Sequence, residues 1–111
     1  MIYRTSVRLQ WSVDTGEEDA HGNPITSTVD QTVLANVWAL GTDQKLDAGR
    51  AYVRTRYQMI LAPTVDIPPG VAPSIRVTWK MYTMFIDGGV ERHYVGSKLH
   101  HYELITKEIV G

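Results

Sequence analysis

The chain has no cysteine, which excludes disulfides and thiolate-held metals and leaves the redox compartment open. No apolar run approaches the roughly 20 residues that a membrane-spanning helix needs. The opening Met1-Ile2-Tyr3-Arg4-Thr5 lacks the charged segment and apolar stretch of a secretory signal. The expectation is therefore a soluble chain made in the cytoplasm, with no membrane partner. A basic excess is missing too: 11 Lys and Arg stand against 12 Asp and Glu, a net charge of −1, whereas a free-standing nucleic-acid binder usually carries a surplus of cations. There is no phosphate-cradling Gly-x-x-x-x-Gly-Lys loop, no Gly-x-Ser-x-Gly elbow and no His-Glu-x-x-His helix. The sequence has no internal repeat and no low-complexity tract.

What is present is strand-forming. Val, Ile and Thr together supply 31 of the 111 residues, against 14 Leu and Ala, which favours sheet over helix. A single domain of this length buries about two-thirds of its unfolded surface. Residues 3–13 alternate: Tyr3, Thr5, Val7, Leu9, Trp11 and Val13 on one face, Arg4, Ser6, Arg8, Gln10 and Ser12 on the other, a half-buried strand. Asp14 to Pro24, with four acids and two glycines, reads as a long mobile loop. Strand character returns from Ile25 to Leu40 and is expected to divide near Ala35-Asn36. Gly41 to Gly49 is the one stretch suited to a helical turn. Tyr52 to Leu61 alternates again, and Ala62 to Ser74 is a proline-rich crossing. Ile75 to Trp79 and Met81 to Ile86 read as a hairpin turning at Lys80, followed by short strands near Val90 to Val95 and Leu99 to Thr106. The fold class expected is all-β: a small single-domain β-barrel with long inter-strand loops. Its core is expected to include Val7, Leu9, Trp11, Val53, Tyr57, Met59, Val77, Trp79, Phe85 and Leu104.

Chemistry is scarce. His100-His101 draws the eye, but neighbours in a regular strand point to opposite faces, so the two are not expected to share a metal; His93 lies across a short loop, within reach of one of them. No metal site, no cofactor, no small-molecule ligand and no catalytic residue is expected. Arg50, Tyr52, Arg54 and Arg56 form a cationic stripe on one face of their strand. It reads as a solvated exterior, as a subunit interface where guanidinium meets carboxylate, or, with less support, as a wall facing DNA phosphates. The acids Asp14, Glu17, Glu18 and Asp19 read as a solvated loop tip or as the partner of that stripe in a neighbouring copy. All three tryptophans, Trp11, Trp38 and Trp79, are expected to pack in the core, Trp38, close to Gly41, being the one of the three nearest to partial exposure at an interface.

The run from Tyr52 to Leu104 carries a further pattern. An extended strand leads into Asp66-Ile67-Pro68-Pro69-Gly70; a hairpin pairs Ile75-Arg76-Val77-Thr78-Trp79 with Met81 to Gly89; His101-Tyr102-Glu103-Leu104-Ile105 closes the chain, and Tyr3-Arg4-Thr5 opens it. This order resembles the head-to-tail stopper (head completion, or head closure) proteins of long-tailed bacteriophages. The resemblance implies a β-barrel assembled as a homo-oligomeric ring, hexamer or dodecamer, in the neck of the virion. An adaptor ring lies above it, a tail terminator ring below, and packaged double-stranded DNA passes nearby. Such a ring retains DNA in the capsid and offers the tail its docking surface. In that family a loop projects toward the channel, and by position its counterpart is Gly41, Thr42, Asp43, Gln44, Lys45, Leu46, Asp47, Ala48 and Gly49. The alternatives are a tail terminator or other neck ring protein, and an OB-like nucleic-acid-binding module.

Overall fold

The computed structural model describes residues 2–47 and 50–110, with side chains described for residues 2–40 and 55–108. Seven strands form one antiparallel sheet: β1 (Thr5–Glu18), β2 (Pro24–Asp47), β3 (Arg50–Leu61), β4 (Arg76–Trp79), β5 (Tyr82–Ile86), β6 (Glu91–Val95) and β7 (Lys98–Val110). Their order is β3-β2-β1-β4-β5-β7-β6, and β3 also pairs with β7. That last pairing brings the sheet round on itself. The circuit is thin on one side, where β1 meets β4 over three residue pairs and β5 meets β7 over two. The result is a partly closed ring of strands rather than a smooth barrel.

Two hairpins carry most of the pairing. β2 pairs with β1 through Ala35, and from Ala35 onward with β3. The expected division at Ala35-Asn36 is therefore a change of partner inside one continuous strand. A register shift between Ala39 and Gly41 bends it further. Twenty-four residues of straight strand would run roughly 80 Å, yet the longest extent of the molecule is 45 Å, so β2 must curl around the core. The radius of gyration is 16.2 Å, above the roughly 13 Å of a compact domain of this length, because the hairpin ends reach beyond the core.

Both hairpin ends correct the expected loops. Asp14 to Glu18 belong to β1, and only residues 19–23 turn. The bulge between Asp14 and Glu18 holds Gly16 at φ +83°, a left-handed conformation that glycine adopts without steric cost. Gly41, Thr42, Asp43, Gln44, Lys45, Leu46 and Asp47 are the end of β2, paired with Arg50 to Arg56, and not a loop with a helical turn. Ala48 and Gly49 lie outside the described residues. Period-two pattern was weak here, and cross-strand pairing supplied what propensity did not.

The core follows the alternation. Val7, Leu9, Trp11, Met59, Val77 and Leu104 are buried as expected, and Tyr57 and Trp79 pack against them half-buried. Val53 is outside the described side chains. Phe85 is a correction: it is 50% exposed, while Met84 and Ile86 are buried. Val77 pairs with Met84 and Arg76 with Phe85, so the register that buries Val77 turns Phe85 outward beside Arg76. Lys80 makes the two-residue turn of this hairpin at φ +54°, with its ammonium 4.9 Å over the Trp79 ring. The crossing from β3 to β4 closes one end of the ring: Ala62, Val65 and Ile67 are buried, and a 3-10 turn spans Ala72–Ser74.

Tyr102 ties that crossing down. It is buried among β3 and β7, and its Oη accepts the Ile67 N–H at 3.3 Å. Arg92 donates to the Ile67 carbonyl and stands 5.5 Å from the Tyr102 ring. Both backbone polar groups of the buried Ile67 are thus met by side chains, as a chain segment without a ladder partner requires.

Candidate functional site

The acidic hairpin end is built by its own side chains. Asp14 Oδ1 accepts the Gly16 N–H at 2.8 Å, and Asp19 Oδ1 accepts the N–H groups of His21 and Asn23, each at 2.9 Å. The backbone bonds from Asn23 and His21 hold the Asp19 carboxyl below its usual range. Asp14 and Asp19 therefore shape the turn, and Glu17 and Glu18 are the carboxylates it presents to solvent.

The arginine stripe is reached only at its end. Side chains of Arg50, Tyr52 and Arg54 lie outside the described residues. Arg56 Nε stands 3.2 Å from an Asp87 oxygen, off the hydrogen-bond direction, and Lys107 Nζ lies 4.0 Å from the same carboxylate. The acidic hairpin end lies where β2 begins, and Arg50 to Arg56 pair with its far end, Gly41 to Asp47. The acid that an arginine of β1 does meet is Asp30: Arg8 Nε donates to both Asp30 oxygens at 2.9 and 3.1 Å, its Nη2 joins them, and the guanidinium holds the Asp30 carboxyl below its ordinary value.

The outer face of β2 carries Leu34, Trp38 and Leu40, exposed by 54%, 42% and 43%. These are large apolar side chains at strand spacing, beside a cavity lined by Asn36, Trp38, Trp79 and Lys80. Below this face Tyr57, Trp79 and Tyr82 form an aromatic group with ring centroids 5.3 to 6.2 Å apart. Burial pushes the Tyr57 phenol up, with Tyr82 and Glu108 adding to it. Trp38 is thus not in the core where all three tryptophans were expected, and it is the one of the three that its place near Gly41 had marked as nearest to exposure.

The histidines are arranged differently from expectation. β6 and β7 pair as Glu91↔Glu103 and His93↔His101, then shift register between His93 and Tyr94. The extra residue is His100. At a bulge the strict alternation of side chains fails, so His100 Nδ1 approaches His101 Nδ1 to 2.8 Å instead of pointing away. The His93 and His101 rings stack at 4.7 Å and 8°. Glu103 Oε2 lies 2.6 Å from His93 Nε2 and 3.5 Å from His101 Nε2, and Glu91 Oε1 lies 3.1 Å from His93 Nε2. A signal for this was in the chain: Glu91-x-His93 and His101-x-Glu103 mirror each other about Ser97, which pairs like with like once the single bulge is allowed.

No protein-family model and no curated protein matches the chain. Solved structures do. The chain shares its fold with a chain from a gene transfer agent virion. That structure is described as the virion of a native gene transfer agent particle. The two chains superpose with a TM-score of 0.64 at 15% identity, over 99% of this chain and 97% of the other. At that identity the likeness is one of fold, and it extends over essentially the whole of both chains.

Proposed function

We propose that this chain is a structural virion protein of the head-to-tail stopper type, assembling as a ring of identical copies in the neck of a tailed, phage-like particle. The observation that carries the proposal is the end-to-end likeness of its fold to a chain found in a gene transfer agent virion. The order of strands, proline-rich crossing and hairpin that resembles the stoppers points the same way. The surface suits such a role. Leu34, Trp38 and Leu40 offer a second copy an apolar contact on β2. Two hairpin ends extend past the core to reach neighbours, and the carboxylates of Glu17 and Glu18 are free to meet arginines of another copy. In this reading the ring lies between an adaptor ring and the tail, retains packaged DNA, and acts without catalysis. The β2–β3 hairpin end, which passes the last β3–β7 pair at Val53, is the element directed at the channel or an adjacent ring. An OB-like role is less favoured, because the one described arginine of the stripe is engaged by Asp87 rather than free for phosphate.

The test is a particle lacking this chain. Heads are expected to fill, then lose DNA and stay tailless, and purified protein added to the extract should restore both properties. Heads that keep their DNA but carry tails of uncontrolled length would move the assignment to the tail terminator. Intact particles without the chain would overturn the virion role.

A further inference from the structure

We propose that His93, His101 and Glu103, with Glu91 on the open side, form a binding site for a divalent transition metal, zinc being the ion that best suits the donors. The site would staple β6 to β7. The four side chains make a two-by-two grid on one face of the antiparallel pair. His93 lies opposite His101 and Glu91 opposite Glu103, and within each strand His and Glu are two residues apart, hence on the same side. One donor atom from each of His93, His101 and Glu103 lies within 4.8 Å of the others. A tetrahedral zinc with ligands at about 2.0–2.2 Å sets its donors roughly 3.4 Å apart. The observed 2.6 and 3.5 Å to Glu103 Oε2 reach that by a shift of under about 1 Å, within the freedom of partly exposed side chains.

Three further observations point to a cation. Two glutamates directly opposite each other across a strand pair repel, and a divalent ion between their carboxylates removes that cost. His101 is held from behind: its Nδ1 meets His100 Nδ1 at 2.8 Å, so one of the two carries the shared proton. A proton on His101 Nδ1 leaves the Nε2 lone pair for the metal, the outer support that metal-ligating imidazoles usually have. The Gln58 amide, at 3.5 Å, is on the other oxygen of Glu103, Oε1, and leaves Oε2 for the ion. A surface cavity of about 290 Å³ lined by Gln58, Asp87, Glu91 and Glu103 adjoins the carboxylates and gives an entry path. Imidazole with carboxylate suits zinc over calcium or magnesium, which prefer all-oxygen shells. β6 is five residues long and pairs with β7 alone, so a bound ion would strengthen the least supported strand by binding the folded form only.

The experiment titrates zinc chloride into the full-length, chelator-stripped protein, with calorimetry and a thermal melt as readouts. One equivalent is expected to bind with a Kd of about 10 μM or below and to raise the melting midpoint. His101→Gln and Glu103→Gln should each weaken binding by about tenfold or more, and His100→Gln by about tenfold as the loss of an outer partner. His21→Gln, in the distant 19–23 turn, should leave it unchanged. As a check that needs no variant, zinc should move the Nε2 resonances of His93 and His101 in the unmodified protein and leave those of His21 in place. Affinity weaker than about 100 μM, full binding by His101→Gln, loss in His21→Gln, or a resonance change confined to His21 would each overturn the site.

Discussion

Removing one oxygen atom tests how the proline-rich crossing is held. In Tyr102→Phe the ring stays and the Ile67 N–H loses its acceptor. Ile67 is 2% and Tyr102 1% exposed, so water does not replace the hydroxyl. A buried donor left unpaired costs about 1–3 kcal/mol. The bond is 3.3 Å, beyond the usual range for N–H···O, so the lower half applies, about 1–2 kcal/mol. With a urea slope of about 2 kcal/mol/M, the middle of the range for small proteins, the midpoint should fall by roughly 0.5–1 M with the slope unchanged. Arg92→Leu removes the donor to the carbonyl of the same residue, Ile67. The double variant should lose at least about 0.5 kcal/mol less than the two single losses combined, because a peptide already loosened has less to lose. A loss below about 0.5 kcal/mol in Tyr102→Phe, or strict additivity, would show that the crossing is held by the burial of Val65 and Ile67 and not by their backbone.

Three other outcomes are expected. Met84→Ala should cost about 2–5 kcal/mol and Phe85→Ala within about 0.5 kcal/mol, measured by the same unfolding; the reverse order would mean that β5 sits in the other register. Tyr57 has a folded-state pKa above its unfolded value, so its contribution is complete below the ordinary tyrosine value of about 10 and is lost as pH rises through the folded pKa; stability should drop as the pH is raised past about 10, and Tyr57→Phe should flatten that drop. Leu46→Asp, on the hairpin end where β2 pairs only with β3, should leave the free subunit folded by circular dichroism while particles lose DNA before tails attach; mutant heads that keep their DNA would remove this hairpin from the channel.

How far each segment was legible depended on whether its information was local. In β1 the alternation of Val7, Leu9 and Trp11 named the buried face before any partner was known, because the period of two is a property of the strand alone. Around Phe85 it was not, since Tyr82-Thr83-Met84-Phe85-Ile86 offers apolar side chains on both faces and only the pairing with Arg76 and Val77 decides between them. Gly41 to Asp47 carried turn-like residues that cross-strand bonding overrode. The approach of His93 to one of the paired histidines was legible from the short loop between them, but the meeting of His100 with His101 was not, because one bulged residue, His100, breaks the alternation of the strand.

By itself, then, the sequence determined the class: abundant β-branched residues, period-two alternation, and no cysteine or phosphate loop mark an all-β chain. Only the tertiary structure decided which strands close the ring, that β2 changes partner at Ala35, and that two histidines and two glutamates share one face of β6 and β7. The physical reason is the same in each case. Register is a relation between two strands, and a shift of one residue exchanges every inward side chain for an outward one, so no strand read alone contains it.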